Sequence, residues 1–183
     1  MGRVARKQWW AGAAVLGVAV AVAGAVWFKP WALWVDETVH EALPSVTATA
    51  SATTGATATA TEPAAPAGPT VVAQGTFISH EHTTSGTVKL IRLSDGSHTV
   101  RLENLDTSNG PDLRVWLTDA PVKEGTAGWR VFDDGTHVAL GKLKGNKGDQ
   151  NYAVPADADL TALTSVTIWC DRFDVSFGAA ALA

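Results

Sequence analysis

The chain has 183 residues, a formal net charge of −4 at pH 7 and a hydrophobic content of 46%. This is the size and composition of one ordinary globular or membrane-attached domain with additional segments. The lysines and arginines of the C-terminal part occur singly and form no basic stripe that could neutralise phosphates, so the composition argues against nucleic acid as a partner.

An uncharged apolar run occupies residues 9–28. As a helix rising ~1.5 Å per residue it would span roughly 30 Å, about the hydrocarbon thickness of a bilayer. Basic residues precede the run within residues 1–8, and tryptophans stand near both of its ends, as aromatic rings do at membrane interfaces. The pattern predicts a single-pass transmembrane signal-anchor in the cell membrane, with residues 1–8 cytoplasmic and the C-terminal domain extracytoplasmic.

A cleaved signal peptide is the alternative to a retained anchor. Ala21, Val22 and Ala23 precede Gly24 and resemble a small-residue cleavage site. The apolar run continues beyond this site and ends in an aromatic pair, which favours retention of the segment in the membrane.

Two segments separate the predicted anchor from the rest of the chain. In residues 29–43 the apolar side chains fall at spacings of three and four, which predicts a short amphipathic helix that rests on the membrane or docks onto another membrane protein. Residues 44–74 are rich in Ala, Thr and Pro. Such a composition has too little large apolar surface to offset the entropy of ordering, so it predicts a flexible linker.

Residues 75–183 have the pattern of an all-β domain. Asp95 and Gly96 form the pair favoured in a two-residue hairpin turn, and residues 145–148 are a second hairpin candidate. About eight short strands predict an antiparallel β-sandwich or barrel. These strands are expected at 75–80, 86–93, 98–105, 112–119, 137–145, 149–155, 165–170 and 174–178.

His80 and His82 are weak candidates for metal ligands. Residues two apart in a strand project from one face, so both imidazoles could meet one ion; the alternative is a polar strand end that binds nothing. A blue-copper centre is disfavoured because no histidine or methionine follows Cys170. No sequence motif for a cofactor is evident, and no metal site is predicted.

Cys170 is the single cysteine of the chain, and it is predicted to lie in an oxidising compartment, where thiols are usually paired. In a strand it shares a face with Val166 and Ile168, whereas Trp169 points the other way. The apolar face predicts a buried cysteine of low reactivity. The unpaired state instead suggests a reactive thiol, whose thiolate Arg172 could favour if it lies nearby. The residues alone leave both interpretations open.

An ordered series of short motifs runs through the β-rich part of the chain. It includes GTF at 75–77, GPDL at 110–113, LGKLKG at 140–145 and IWC at 168–170. The series resembles the electron-transfer DM-thirteen domain family, and the preceding segments resemble those of its membrane-attached bacterial members. The resemblance implies an extracytoplasmic β-domain with an electron-transfer or redox role centred on Cys170, which matches the cysteine of the family.

This resemblance implies an electron-transfer or redox accessory domain rather than a stand-alone enzyme. A separate redox partner protein is expected, because the chain shows no cofactor-binding motif of its own. Under this hypothesis Cys170 reacts with small thiol reagents and has a pKa below the ~8.5 of a free cysteine. The supporting candidates are Trp169, Tyr152, Asp112, His82 and Arg172.

The alternative function is a non-catalytic surface module that binds an envelope protein or ligand. Trp116 and Trp169 fall opposite the apolar-patterned faces of their strands, which predicts that both are exposed, and exposed tryptophans favour binding. In this interpretation Cys170 is structural, buried and unreactive.

Overall fold

The computed structural model of the protein describes residues 2–28, 35–44 and 68–183. In these residues one α-helix precedes ten strands, and a short 3₁₀ helix lies between two of the strands. Helix α1 spans Gly2–Phe28, and the 3₁₀ helix spans Gly125–Gly128. The strands are β1 (Thr38–His40), β2 (Thr70–Thr76), β3 (Ile78–Ser79), β4 (Ser85–Arg92), β5 (His98–Asp106), β6 (Leu113–Thr118), β7 (His137–Lys142), β8 (Lys147–Val154), β9 (Ser165–Cys170) and β10 (Val175–Ala181).

The strands of the described residues form two five-stranded sheets. The first has the order β1-β8-β5-β4-β2, and the second has the order β3-β10-β9-β6-β7. Neighbouring strands are antiparallel, except β1 and β8, which are parallel. Apolar side chains of both sheets meet in one core cluster. The predicted antiparallel β architecture is confirmed.

The first sheet is buried on one face only. In β5, Val100 and Leu102 are fully buried in the core, and they alternate with the charged residues Arg101 and Glu103. On the outer face, Arg101 Nε donates to the Glu103 carboxylate at 2.8 Å. This alternation of apolar and charged residues is typical of a strand with one solvated face.

The second sheet is buried on both faces. All six residues of β9 are buried, and Trp169 packs with Trp116 and Phe132 in a second apolar cluster on the face away from the main core. Phe132 and Ala120 belong to the long connection between β6 and β7, which covers this face. Because β9 contacts apolar side chains on both sides, it tolerates an unbroken run of buried residues.

The two hairpin predictions have different outcomes. Between β4 and β5, the Leu93 N–H donates to the Ser97 carbonyl at 2.8 Å, and Gly96 has a φ of 85°. The hairpin predicted around Asp95 and Gly96 is therefore confirmed, but its loop has the three residues 94–96 rather than the two predicted, because Leu93 bonds to Ser97. The hairpin predicted at residues 145–148 is wrong, because β7 and β8 belong to different sheets. The chain crosses there from the second sheet to the first.

Residues 35–44, called the strap below, are extended rather than helical. Within the strap, β1 pairs with β8, and Val39 lies opposite Gly148. The helix predicted within residues 29–43 is therefore wrong for its described part; residues 29–34 lie outside the described residues. Pairing with the edge of β8 satisfies backbone groups of the strap without a helix.

Strand β2 extends the folded part beyond the boundary predicted at Gly75. It begins at Thr70, within the predicted linker, and pairs with β4. The part of that linker at residues 45–67 lies outside the described residues. Its flexibility stays a prediction.

Helix α1 contains the apolar run predicted to be a membrane anchor. Its described side chains include the exposed Val15, Leu16 and Val18. Among the described residues, we find no helix with the length and hydropathy that a membrane crossing requires. The transmembrane assignment is therefore not confirmed and stays a prediction.

Candidate functional site

Cys170 is the last residue of β9, and its side chain enters the main core. Its neighbours across the sheet are Leu113 of β6 and Val175 of β10. Val166 and Ile168 belong to the same core cluster, as the alternation of the sequence predicts. The thiol is free, and the residue is 0% exposed.

Burial raises the pKa of the Cys170 thiol above its ordinary value. The backbone N–H groups of Arg172, Phe173 and Asp112 act in the opposite direction, and the charge of Glu81 adds to the increase. The prediction of an accessible thiol with a lowered pKa is wrong. The apolar surroundings disfavour the thiolate more than the three amide groups favour it.

Partly buried ion pairs lie beside the end of β9. The Asp112 carboxylate is 3.2 Å from the Arg114 guanidinium and 3.6 Å from the Lys142 ammonium. Arg114 is also 3.2 Å from the Asp171 carboxylate. The backbone carbonyl of Asp112 accepts the Asp171 N–H at 3.0 Å. Asp112 therefore holds the chain before β6 against the chain after β9.

Arg172 directs its guanidinium group toward α1. Its Nη1 donates to the Trp27 carbonyl at 3.2 Å, and its guanidinium carbon lies 4.7 Å from the centre of the Trp27 ring. These contacts connect the Cys170 end of the domain to the C-terminal part of α1.

Three stacked rings lead from the interior of the second sheet to the surface. We call Trp169, Trp116 and His137 the aromatic stack. Ring centres are 5.0 Å apart between Trp169 and Trp116, and 4.0 Å apart between Trp116 and His137. Trp169 is 1% exposed and Trp116 is 6% exposed, whereas His137 is exposed. The stack therefore begins at the residue next to Cys170, on the opposite face of β9, and ends in solvent.

The prediction that Trp116 and Trp169 are exposed is wrong, although both lie on the predicted face. The connection between β6 and β7 covers them, and Phe132 packs edge-on against Trp169 with ring centres 6.5 Å apart. The sequence holds one signal for this cover: Val131 and Phe132 are large apolar residues inside a mostly polar connection. Alternation identifies a face of a strand but not what a distant segment places over it.

Two hydrogen bonds hold the ring of His80. Its Nε2 donates to the Lys123 carbonyl at 3.0 Å, so its Nδ1 accepts from the Ser176 hydroxyl at 2.7 Å. Ser176 is in turn 2.8 Å from the Thr167 hydroxyl. Burial lowers the pKa of His80. The buried His80 side chain thus links the β6–β7 connection to β10 by hydrogen bonds.

His82 has different partners from His80. Its ring stacks on Phe177 with centres 3.9 Å apart, and it lies 3.8 Å from the Glu81 carboxylate. Because both nitrogens of His80 are already bonded, the pair lacks one of the two ligands that the metal hypothesis needs. In the part of the chain that the structure describes, no group of three or more His, Cys, Asp or Glu is arranged to hold a metal ion.

Comparison with known families assigns the β-rich part of the chain. A family model described as "Electron transfer DM13" matches residues 76–182. The chain belongs to the DM13 family. The resemblance found in the sequence is thereby confirmed, and membership supports a redox-related role in the broad sense. Neither the curated proteins nor the solved structures gave a match.

Tyr152 lies in the other sheet of the DM13 domain, on β8. Its hydroxyl donates to Gln150 at 2.7 Å and accepts the Lys144 N–H at 3.1 Å. Burial raises the pKa of Tyr152 well above its ordinary value. The hydroxyl therefore stays protonated and ties β8 to the segment after β7.

Two residues of this site, His137 and Phe132, were not predicted from the sequence. Phe132 contributes to the apolar signal described above, whereas His137 belongs to no recognisable motif and is the first residue of β7. The register of β6 against β7 places Thr118 opposite His137 and Trp116 opposite Ala139. This non-local pairing brings the imidazole onto the indole of Trp116.

Proposed function

We propose that the protein is an outward-facing, membrane-anchored DM13 domain that exchanges single electrons with a separate redox partner protein, with Cys170 as its redox residue. The observation that carries the proposal is the aromatic stack. In a family described by electron transfer, it gives the buried end of β9 a path of touching rings to the exposed His137.

Burial of Cys170 favours one kind of thiol chemistry over another. A mixed disulfide requires a thiolate that a partner can approach, but this thiol is fully buried and its pKa is raised. Transfer of an electron through packed side chains does not require contact with the sulfur. In the proposed step the thiol gives one electron through the stack to an oxidised partner, and its proton passes to water that reaches the sulfur during a local opening of the end of β9. The thiol regains both when a reduced partner returns the electron.

The environment of Trp116 suits an intermediate carrier in electron transfer. Its indole Nε1–H is buried and has no hydrogen-bond acceptor among the described residues. An indole that loses one electron becomes a stronger acid, and without a neighbouring acceptor it keeps its proton. The positive charge can then move to Trp169 and on to Cys170, rather than being trapped as a deprotonated radical.

Pulse radiolysis of the full-length chain tests this role. Solution azide radicals oxidise tryptophans, and the absorbance of the tryptophan radical then reports how quickly an internal donor repairs it. We expect this decay to slow by about tenfold or more in Cys170→Ala, which removes the internal donor, and in Trp169→Phe, which interrupts the path between the donor and Trp116. Trp27→Phe, which changes an exposed tryptophan outside the stack, should leave the decay unchanged.

Equal decay in the wild type and Cys170→Ala would contradict a redox role for this cysteine. The non-redox surface module would then be the better candidate. One observation already favours that second candidate: Cys170 is buried and its pKa is raised, as expected for a structural cysteine.

The proposed anchor is supported by the surface of α1. Val15, Leu16 and Val18 are between 63 and 70% exposed, and such apolar side chains fit a lipid environment. We expect Val18→Arg combined with Val22→Arg to shift the protein from the membrane fraction to the soluble fraction, because each arginine costs about 2.5–3.5 kcal/mol at the centre of a membrane helix.

The matched control places the same change on the domain. Val71→Arg with Val72→Arg alters two exposed valines of β2, and it should leave the protein in the membrane fraction. Retention of the Val18 and Val22 double variant in that fraction, or release of the wild type into the medium, would disprove the anchor.

A further inference from the structure

We propose that the edge of strand β8 is a binding site for an extended acidic peptide, and that the strap is its exchangeable occupant, bound within the same chain. The strap lies outside the residues that match the DM13 family, whereas β8 lies inside them. The site therefore belongs to the domain, and its occupant is an addition to it. The proposal does not depend on the redox role of Cys170.

Backbone pairing gives the strap its direction and register. Thr38, Val39 and His40 pair in parallel with the first three residues of β8. The Lys147 N–H donates to the Glu37 carbonyl at 3.2 Å, and the Glu41 N–H donates to a backbone carbonyl of β8 at 2.9 Å. Addition of a peptide strand to a free sheet edge is a common mode of peptide recognition.

In the C-terminal half of the strap, Glu41 is held by hydrogen bonds from side chains and backbone of the domain. Its carboxylate lies 2.7 Å and 2.9 Å from Lys144 Nζ and accepts the Asn151 N–H at 2.8 Å. Arg101 Nη1 donates to the Glu41 carbonyl at 2.9 Å, and Asn151 Nδ2 donates to the Ala42 carbonyl at 2.8 Å. The hydrogen bond to Lys144 lowers the pKa of Glu41. These contacts select a carboxylate at this position.

In the N-terminal half of the strap, Asn146 and Lys147 of the domain hold Asp36 and Glu37. Asn146 is 1% exposed and uses both ends of its amide: Oδ1 accepts the Glu37 N–H at 2.7 Å, and Nδ2 donates to the Asp36 carboxylate at 2.9 Å. Lys147 Nζ lies 3.0 Å from the same carboxylate. The domain thus offers two lysines and a buried amide to a peptide with acidic residues five positions apart.

Two glycines make room for the occupant. A side chain at Gly148 would collide with the Val39 carbonyl, and one at Gly145 would collide with the Glu37 carbonyl. Gly148 also has a φ of 94°, which disfavours other residues. Gly148 in β8 and Gly145 just before it therefore leave the space that the backbone of a bound strand needs.

The contacts that hold the strap are mostly polar and near the surface. Val39, Glu41 and Leu43 are half-buried, and the other strap residues are exposed. Exposed ion pairs contribute little to stability, so the strap can leave β8 without unfolding of the core.

Release of the strap, together with loss of the contact between Arg172 and Trp27, would change how far the domain can move from α1. With the strap bound, residues 29–34 alone join it to α1, and they can span at most roughly 25 Å. With the strap released, residues 29–69 join α1 to β2 and can span at most roughly 140 Å. A competing acidic peptide on a partner protein would thereby lengthen the tether of the domain.

The test uses the full-length chain and a fluorescent synthetic peptide of residues 35–44. A variant with Asp36→Lys and Glu41→Lys loses both acidic anchors of its own strap. We expect this variant to bind the labelled peptide at least about tenfold more tightly than the wild type, whose site is occupied. Asp133→Lys with Asp134→Lys makes the same charge change in an exposed loop and should bind the peptide like the wild type.

Lys144→Gln added to the strap variant should abolish binding of the natural peptide, because it removes the ammonium group that holds the Glu41 carboxylate without giving the strap's new lysine an acidic partner. Absence of binding to the strap variant, or equal binding to variant and wild type, would overturn the proposal. A wild-type dimer that becomes monomeric in the strap variant would overturn binding within one chain and assign the strap to a second copy.

A measurement on the wild type covers the case in which the strap variant does not fold. Excess unlabelled peptide should displace the strap and accelerate hydrogen exchange of the Glu41 amide, which donates to a β8 carbonyl in the bound state. An exchange rate that does not change with peptide concentration would show that the strap is a permanent part of the sheet.

Discussion

Replacement of Trp169 with alanine is expected to lower the free energy of unfolding by about 3–5 kcal/mol. The indole is 1% exposed, stacks on Trp116 and receives the edge of Phe132. Truncation removes these contacts and leaves a cavity between β9 and the β6–β7 connection, which cannot collapse fully because the sheet holds β9 in place. Urea denaturation followed by far-ultraviolet circular dichroism measures the loss.

Phe173→Ala is the matched control for this variant. Phe173 follows β9 by three positions, but it is 44% exposed, so its truncation should cost about 1 kcal/mol or less. Similar losses in the two variants would contradict the burial of Trp169 under the β6–β7 connection. They would restore the hypothesis of an exposed tryptophan face.

Native Cys170 is expected to react with a small thiol reagent at pH 8 on the order of 10³-fold more slowly than the same residue in denaturant. The thiol is 0% exposed and burial raises its pKa, so modification must wait for an opening of the core that costs several kcal/mol. Because the chain has a single cysteine, the total reagent consumed reports this residue alone.

A reference thiol calibrates the comparison. Ser94→Cys in a Cys170→Ala background places a thiol in the exposed turn between β4 and β5, and it should react at similar rates with and without denaturant. Rapid modification of native Cys170 would show that the end of β9 opens easily. Contact chemistry such as a mixed disulfide would then replace electron transfer through the aromatic stack as the proposed mechanism.

These two results bear on the proposed function in different ways. Slow modification of Cys170 is compatible with both the electron-transfer role and the structural role, so the radical-decay experiment is needed to separate them. A large stability loss in Trp169→Ala shows why Trp169→Phe is the appropriate variant for that experiment: it keeps most of the buried ring volume while it removes the indole.

Much of the β-domain follows from the sequence alone. The predicted runs at 98–105, 112–119 and 165–170 match β5, β6 and β9 closely, because turn residues bound them and the side-chain period of a strand is a local property. The same period places Cys170 on the core face with Val166 and Ile168. The series of motifs also identified the family that the comparison confirmed.

The tertiary structure decided which faces and edges are covered. The connection after β6 buries Trp169, the crossing after β7 replaces a predicted hairpin, and the strap pairs with β8 across more than a hundred positions of the chain. Each outcome depends on contacts between segments that are distant in sequence. Local periodicity determines where a side chain points, but the free energy of burial and pairing depends on the segment that packs against it.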